Sequence, residues 1–223
     1  MPIYKRFQYN SPMILSYTLA ALLVLGLNHL SQGASNALLF SVYRAPLTDP
    51  LLYIRAFTHV LGHANLAHYF NNVMIILLIG PMLEEKYGSK WMGIMMLVTA
   101  LVTGLLFIAV SDFALLGGSG LVFMLILLSS FTNLQKGRIP FTLILVFIIF
   151  IGREVITGTT TQTNISHLTH IIGGVCGAVF GYVLNKAKFF EQETGKETKI
   201  ETKIEAKTEA KEEVKVETEK KTL

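Results

Sequence analysis

An all-α membrane protein with six transmembrane helices is the fold class that this sequence predicts, and three observations predict it. The 223-residue chain is 52% hydrophobic with a mean hydropathy of +0.51, more apolar than an ordinary soluble domain. Its apolar residues gather into six runs, roughly 11–30, 66–83, 91–110, 118–134, 139–155 and 165–184. Each approaches the ~20 residues that a bilayer-spanning helix needs. Within each run the apolar residues are continuous rather than alternating, which argues against a β-barrel.

The first run is too long for the core of a signal peptide and has no small-residue cleavage site, so it reads as a true first span. A long connection follows, from about Ser31 to Leu61. Its stretch NALLFSVYRAPLTDPLLYIRAF mixes aromatics and leucines with single charges, as expected of a loop lying in the membrane interface. Arg55 is placed there to reach a lipid headgroup or cap a turn. The remaining connections are short, which implies antiparallel neighbours in a bundle.

The formal charge of +4 is unevenly spread. From Lys186 onward ten lysines and ten glutamates cancel, so the excess belongs to residues 1–185. With six spans both termini share a side, and that side carries Lys5, Arg6, Lys86, Lys90, Lys136, Arg138, Lys186 and Lys188. The other side carries Arg44, Arg55 and Arg153. The positive-inside rule then predicts a multi-pass protein of the cell membrane with both termini cytoplasmic. The expected organisation is a short cytoplasmic N-terminus (1–10), a six-helix membrane domain (11–185) and a Lys/Glu-rich tail (186–223).

Lysines recur every fourth tail residue, at 199, 203, 207, 211 and 215, so a helix would set like charges beside each other. The tail is expected to be solvated and disordered, and is a candidate to bind a cytoplasmic partner. No basic patch interleaved with aromatics is present, which argues against nucleic acid as a partner. Cys176, the single cysteine, cannot form an internal disulfide and is expected to be a small buried apolar residue.

Polar residues inside apolar runs are costly and mark candidate sites. They cluster here. Span two is entered through His59, His63 and His68, followed by Asn71 and Asn72; span four opens on Gly117-Gly118-Ser119-Gly120; span six opens on His167 and His170. A helix start leaves about four backbone N–H groups unpaired and is electropositive. A serine placed there among glycines has the parts for attacking a carbonyl and holding the oxyanion that forms. Gly-Ser-Gly also serves simply as a turn or helix cap.

A base is available in span six. Gly173, Gly177 and Gly181 recur every fourth residue and mark a helix face with almost no bulk, along which another helix can approach closely. His170 shares that face and, when neutral, can take a serine proton. His167 lies one turn earlier, and spacing alone does not choose between them. His68 and Asn72, four apart, can both donate into one cavity. His59 and His63, also four apart, raise the alternative of a metal site, but no carboxylate or cysteine stands near them in sequence; no metal or other cofactor is expected.

Together these pieces resemble the rhomboid family of intramembrane serine proteases, over about Pro50 to Tyr182. Four anchors carry the resemblance, in the family's order. Arg55-Ala-Phe-Thr-His59 leads into His63, His68 and Asn72. Gly80 to Ser89, GPMLEEKYGS, resembles the family's turn after the second span. Gly117-Gly118-Ser119-Gly120 matches GxSG at the start of the fourth span, and His170-x-x-Gly173-x-x-x-Gly177 lies in the sixth.

The resemblance implies a six-helix rhomboid bundle that cleaves membrane proteins with a Ser–His dyad. Ser119 would be the nucleophile and His170, not His167, the base. His68, Asn72 and the Ser119 backbone N–H would form the oxyanion hole, and Phe123 would pack against the catalytic imidazole. Gly117, Gly118, Gly120, Gly173 and Gly177 would make room for substrate and for span six. Arg55 and Glu84 would be structural. Met124 and Leu127 depart from the pattern, standing where the family usually has glycine; their bulk would hold span six away unless the glycine ladder compensates. Thr169 stands where alanine usually precedes the histidine.

The implied substrates are membrane proteins with a helix-weakened transmembrane segment, because a helical peptide bond in lipid is guarded by its own hydrogen bonds. The competing reading is a non-catalytic rhomboid-like protein that binds the transmembrane helices of client proteins. Such relatives typically lack the serine or the histidine, and this chain has both.

Overall fold

The structure, a computed structural model, describes residues 10–132, 138, 141–146, 148–149, 152 and 167–186. The short N-terminus and the Lys/Glu-rich tail lie outside the described residues, apart from Asn10 and Lys186. Six helices position the site: α1 (Pro12–Leu30), α2 (Pro50–Thr58), α3 (Leu66–Tyr87), α4 (Ser89–Val110), α5 (Ser119–Ser130) and α6 (His167–Lys186). Four of them, α1, α3, α4 and α6, are long and apolar enough to cross a membrane. The predicted span 139–155 is described only in part; its described residues from 141 onward are helical. Among the described residues there is no strand, only an isolated antiparallel bridge between Val42 and Leu115.

The helices are apolar on their outer faces as well as their inner ones. Leu23, Leu78, Met74 and Leu97 are all more than half exposed. Helices hydrophobic all round belong in a lipid environment, and the chain is a multi-pass membrane protein. The buried faces pack α1 on α3, α3 on α5, and α2 on α4. Ile14, Ile76, Leu83, Met92, Leu121, Leu125 and Leu128 are fully enclosed or nearly so.

Gly80 of α3 lets Ile14 of α1 come close, since a Cβ there would stand 2.7 Å from its Cδ1. The same region holds the carboxylate of Glu84, which is buried and accepts from the backbone N–H groups of Met13 and Ile14, both at 2.9 Å. A carboxylate at a helix N-terminus pairs orphan donors and complements the dipole. Glu84→Ala would leave two N–H groups without that partner, and should cost about 1–3 kcal/mol. Thermal unfolding in detergent checks this, and Glu84→Gln, which keeps one acceptor, should lose less. The chain then turns at Gly88, whose φ of +83° is the left-handed region that favours glycine.

The segment between α1 and α3 folds back on the bundle. It contains a π-helical turn (Asn36–Phe40), α2, and a 3-10 turn (His59–Leu61). Arg55 corrects the expectation of a headgroup contact. It is 4% exposed; its Nε donates to Leu38 O at 2.9 Å, it pairs with Asp49 at 3.1 Å, and it lies over the Tyr43 ring. A buried guanidinium needs this full set of partners. Cys176 is half-buried rather than enclosed.

Candidate functional site

Helix α5 has 12 residues, about 18 Å at the rise of an α-helix, short of a ~30 Å hydrocarbon core. Backbone leading into so short a helix must meet its hydrogen-bond needs within the protein. It does so on both sides. Leu115 N donates to Val42 O, Val42 N donates to Leu115 O, and Gly117 N donates to His59 O at 2.9 Å. Ser119 is the first residue of α5, with Gly118 at the N-cap.

Each glycine of this turn makes room for a different neighbour. Gly117 has φ +123°, and a Cβ there would stand 2.7 Å from His68 Nε2 and 3.8 Å from Asn72 Nδ2. A Cβ on Gly118 would overlap the Tyr17 hydroxyl, which donates to Val60 O at 2.7 Å. Gly120 faces Thr103 and Thr169. The space at Gly118 is thus taken by Tyr17 of α1, a residue the sequence did not single out.

The polar groups near Gly117 have defined roles. Asn65 caps α3 by accepting from His68 N at 2.9 Å. His68 Nδ1 accepts from Ala64 N at 3.5 Å, so its Nε2 carries the proton and points a donor at the Gly117 turn. Asn72, on the next turn of α3, is buried with its amide nitrogen toward the same place.

Helix α6 reaches α5 through backbone. A Cβ on Gly173 would overlap the carbonyl oxygen of Gly120, and one on Gly177 the carbonyl oxygen of Met124. The two helices therefore run side by side in the same direction. Met124 does not hold α6 away: its backbone, not its bulk, faces Gly177, and both Met124 and Leu127 are buried. At the start of α6 the imidazole of His170 stacks on Phe123, with ring centroids 4.1 Å apart and planes 13° apart. His167 meets the His170 ring edge-on at 6.1 Å. His170 is near enough to His68 for the two to interact electrostatically. Ser119 lies one turn before Phe123, so serine, imidazole and two side-chain donors converge on one helix end. Such a set can activate a hydroxyl and hold an oxyanion.

The chain matches the model of the Rhomboid domain over residues 51–187. It belongs to the rhomboid family. This rhomboid protein is 30% identical over 132 residues to Rhomboid-related protein 1 of Caenorhabditis elegans. That match covers 55% of this chain and 37% of the relative, so the chain spans little more than a third of the length of the curated relative it matches.

His59 and His63, weighed above as metal ligands, have both ring nitrogens against protein groups of the rhomboid fold. His59 is buried, its Nδ1 lies 3.1 Å from Ala56 O, and its Nε2 faces Thr103 Oγ1 at 3.4 Å. His63 Nδ1 bonds Leu61 O, and its Nε2 meets the Asn72 amide. Burial pushes both imidazoles down to about 4. Each is neutral in the fold and titrates near 6.5 when unfolded, so the unfolded chain binds more protons in acid. Their contribution to stability is complete above about pH 6.5 and drains as pH falls through about 4. The detergent-solubilised protein should melt progressively lower from pH 7 to 4.5, and His59→Gln should flatten that slope. An equally steep slope in the variant would contradict this.

Proposed function

We propose that this chain is an intramembrane serine endopeptidase that hydrolyses peptide bonds in or near the transmembrane segments of membrane proteins. Ser119 is the nucleophile and His170 its general base. The observation that carries the reading is the stacking of His170 on Phe123 beside a glycine ladder that brings α6 onto the backbone of α5. The ring face orients the imidazole, a task that an aspartate performs in a triad. His68 Nε2, the Asn72 amide and the Ser119 N–H receive the oxyanion.

The bundle has six transmembrane helices, the segment after α1 at the membrane interface and both termini cytoplasmic. In that orientation α3, α5 and α6 begin on the non-cytoplasmic side, where water can reach Ser119 for hydrolysis. The membrane domain is residues 11–185, between residues 1–10 and the Lys/Glu-rich segment 186–223. Substrates are single-pass proteins whose spans contain residues that weaken a helix, because the scissile bond must leave its helical hydrogen bonds before attack.

Fluorophosphonate labelling of the purified protein in detergent tests the reading. Wild type should label, and Ser119→Ala and His170→Ala should not. A folded wild type that stays unlabelled would turn the reading toward a non-catalytic protein that binds client helices.

A further inference from the structure

We infer that His63 is a positioning residue for the oxyanion site, holding the Asn72 amide so that its free N–H faces the turn at Gly117. The inference rests on the protease reading and assigns a task to a histidine that reading leaves unused. His63 is fully buried just before α3. Its Nδ1 lies 3.1 Å from Leu61 O. A carbonyl only accepts, so Nδ1 bears the proton and Nε2 offers a lone pair.

Asn72 Nδ2 stands 3.2 Å from that Nε2. An amide nitrogen only donates, so one N–H of Asn72 is spent on His63. The acceptor also settles which way the amide points, because a carbonyl oxygen opposite the Nε2 lone pair would repel it. The second N–H shares the same nitrogen, 3.8 Å from where a Gly117 Cβ would stand, on the side of His68 Nε2.

The relay is itself anchored. Asn36 Nδ2 donates to His63 O at 3.0 Å, tying the backbone to the π-helical turn. The His63 ring meets His68 edge-on at 5.1 Å and Tyr69 at 5.5 Å. One imidazole thus touches both side-chain donors. The low proton affinity that burial gives His63 keeps its Nε2 lone pair available at neutral pH.

Two substitutions separate this role from packing. His63→Asn places an amide near the Nδ1 position, so it can bond Leu61 O but cannot reach Asn72. His63→Gln places an acceptor near Nε2. In cleavage of a single-pass substrate by the full chain, His63→Asn should lower kcat by about 10²–10³-fold with little change in KM, as loss of one oxyanion donor does. His63→Gln should stay within about tenfold of wild type.

In the Asn72→Ala background His63→Asn should cost little more, because its effect passes through Asn72. Thermal unfolding of each variant confirms that it is folded. Additive losses for His63→Asn and Asn72→Ala, or equal losses for the Asn and Gln variants, overturn the inference alone. A folded wild type that neither cleaves nor labels overturns the protease reading, and the inference with it.

Discussion

Ser119→Ala should reduce cleavage of a single-pass membrane substrate by about 10⁵–10⁶-fold, to background. Removing the nucleophile of a serine hydrolase costs about as much as removing the whole catalytic set, because its members act as a unit. His170→Ala should therefore lose nearly as much, and the double variant no more than either alone. The change deletes only a hydroxyl at the first residue of α5, so folding should be spared and unfolding in detergent should match wild type. Cleavage is read with purified protein in liposomes. A variant that retains a client-dependent effect in cells without any cleavage would favour the binding reading.

Gly173→Leu should be nearly as damaging with serine and histidine both untouched. A Cβ at Gly173 would overlap the Gly120 carbonyl oxygen and stand 3.0 Å from Gly120 Cα. These are backbone atoms, which cannot rotate aside as a side chain can. Helix α6 must shift outward by an ångström or more, taking His170 with it. Misplacement on that scale costs about 10²-fold or more in rate, and a leucine here should cost about 10³-fold. Labelling should fall in step with cleavage. Normal labelling in a folded Gly173→Leu protein would mean that the ladder does not set the serine–imidazole distance.

Continuous apolar runs placed the helices well, since burial of the whole helix surface leaves a signal that needs no tertiary context. The bounds of α1 and α4 fall within about two residues of the runs that predicted them. α3 runs to Tyr87, past the predicted end at Leu83. The apolar run stops before Glu84, whose charge is spent on the backbone of α1. That pairing joins residues about seventy apart and leaves no local trace in sequence.

The site was legible as far as ordered motifs carry. The structure places His68 and Asn72 beside the Gly117 turn and His170 on Phe123, one helical turn further along α5. What stayed hidden depends on which way a side chain faces. Met124 looked obstructive because composition records bulk and not direction. Tyr17 is one of eight tyrosines, and only the packing of α1 against the serine turn distinguishes it. Arg55 sat among aromatics that suggested an interface, yet its partners turn it inward.

The brevity of α5 bears on how the protein is made. An insertion machinery that sorts segments by hydrophobic length receives only about 18 Å of helix here. Such a segment is a weak signal to stop in the bilayer on its own. Its residence there depends on parts synthesised earlier: α3 and α4 offer a packed face, and the segment between α1 and α3 offers the backbone acceptors Val42 O and His59 O. α6, emerging from the ribosome last of the six, then adds the histidine. The order of synthesis therefore sets the order of assembly. The pairing of His170 with Phe123 at the serine turn forms only after the helices that pack around that turn are in place.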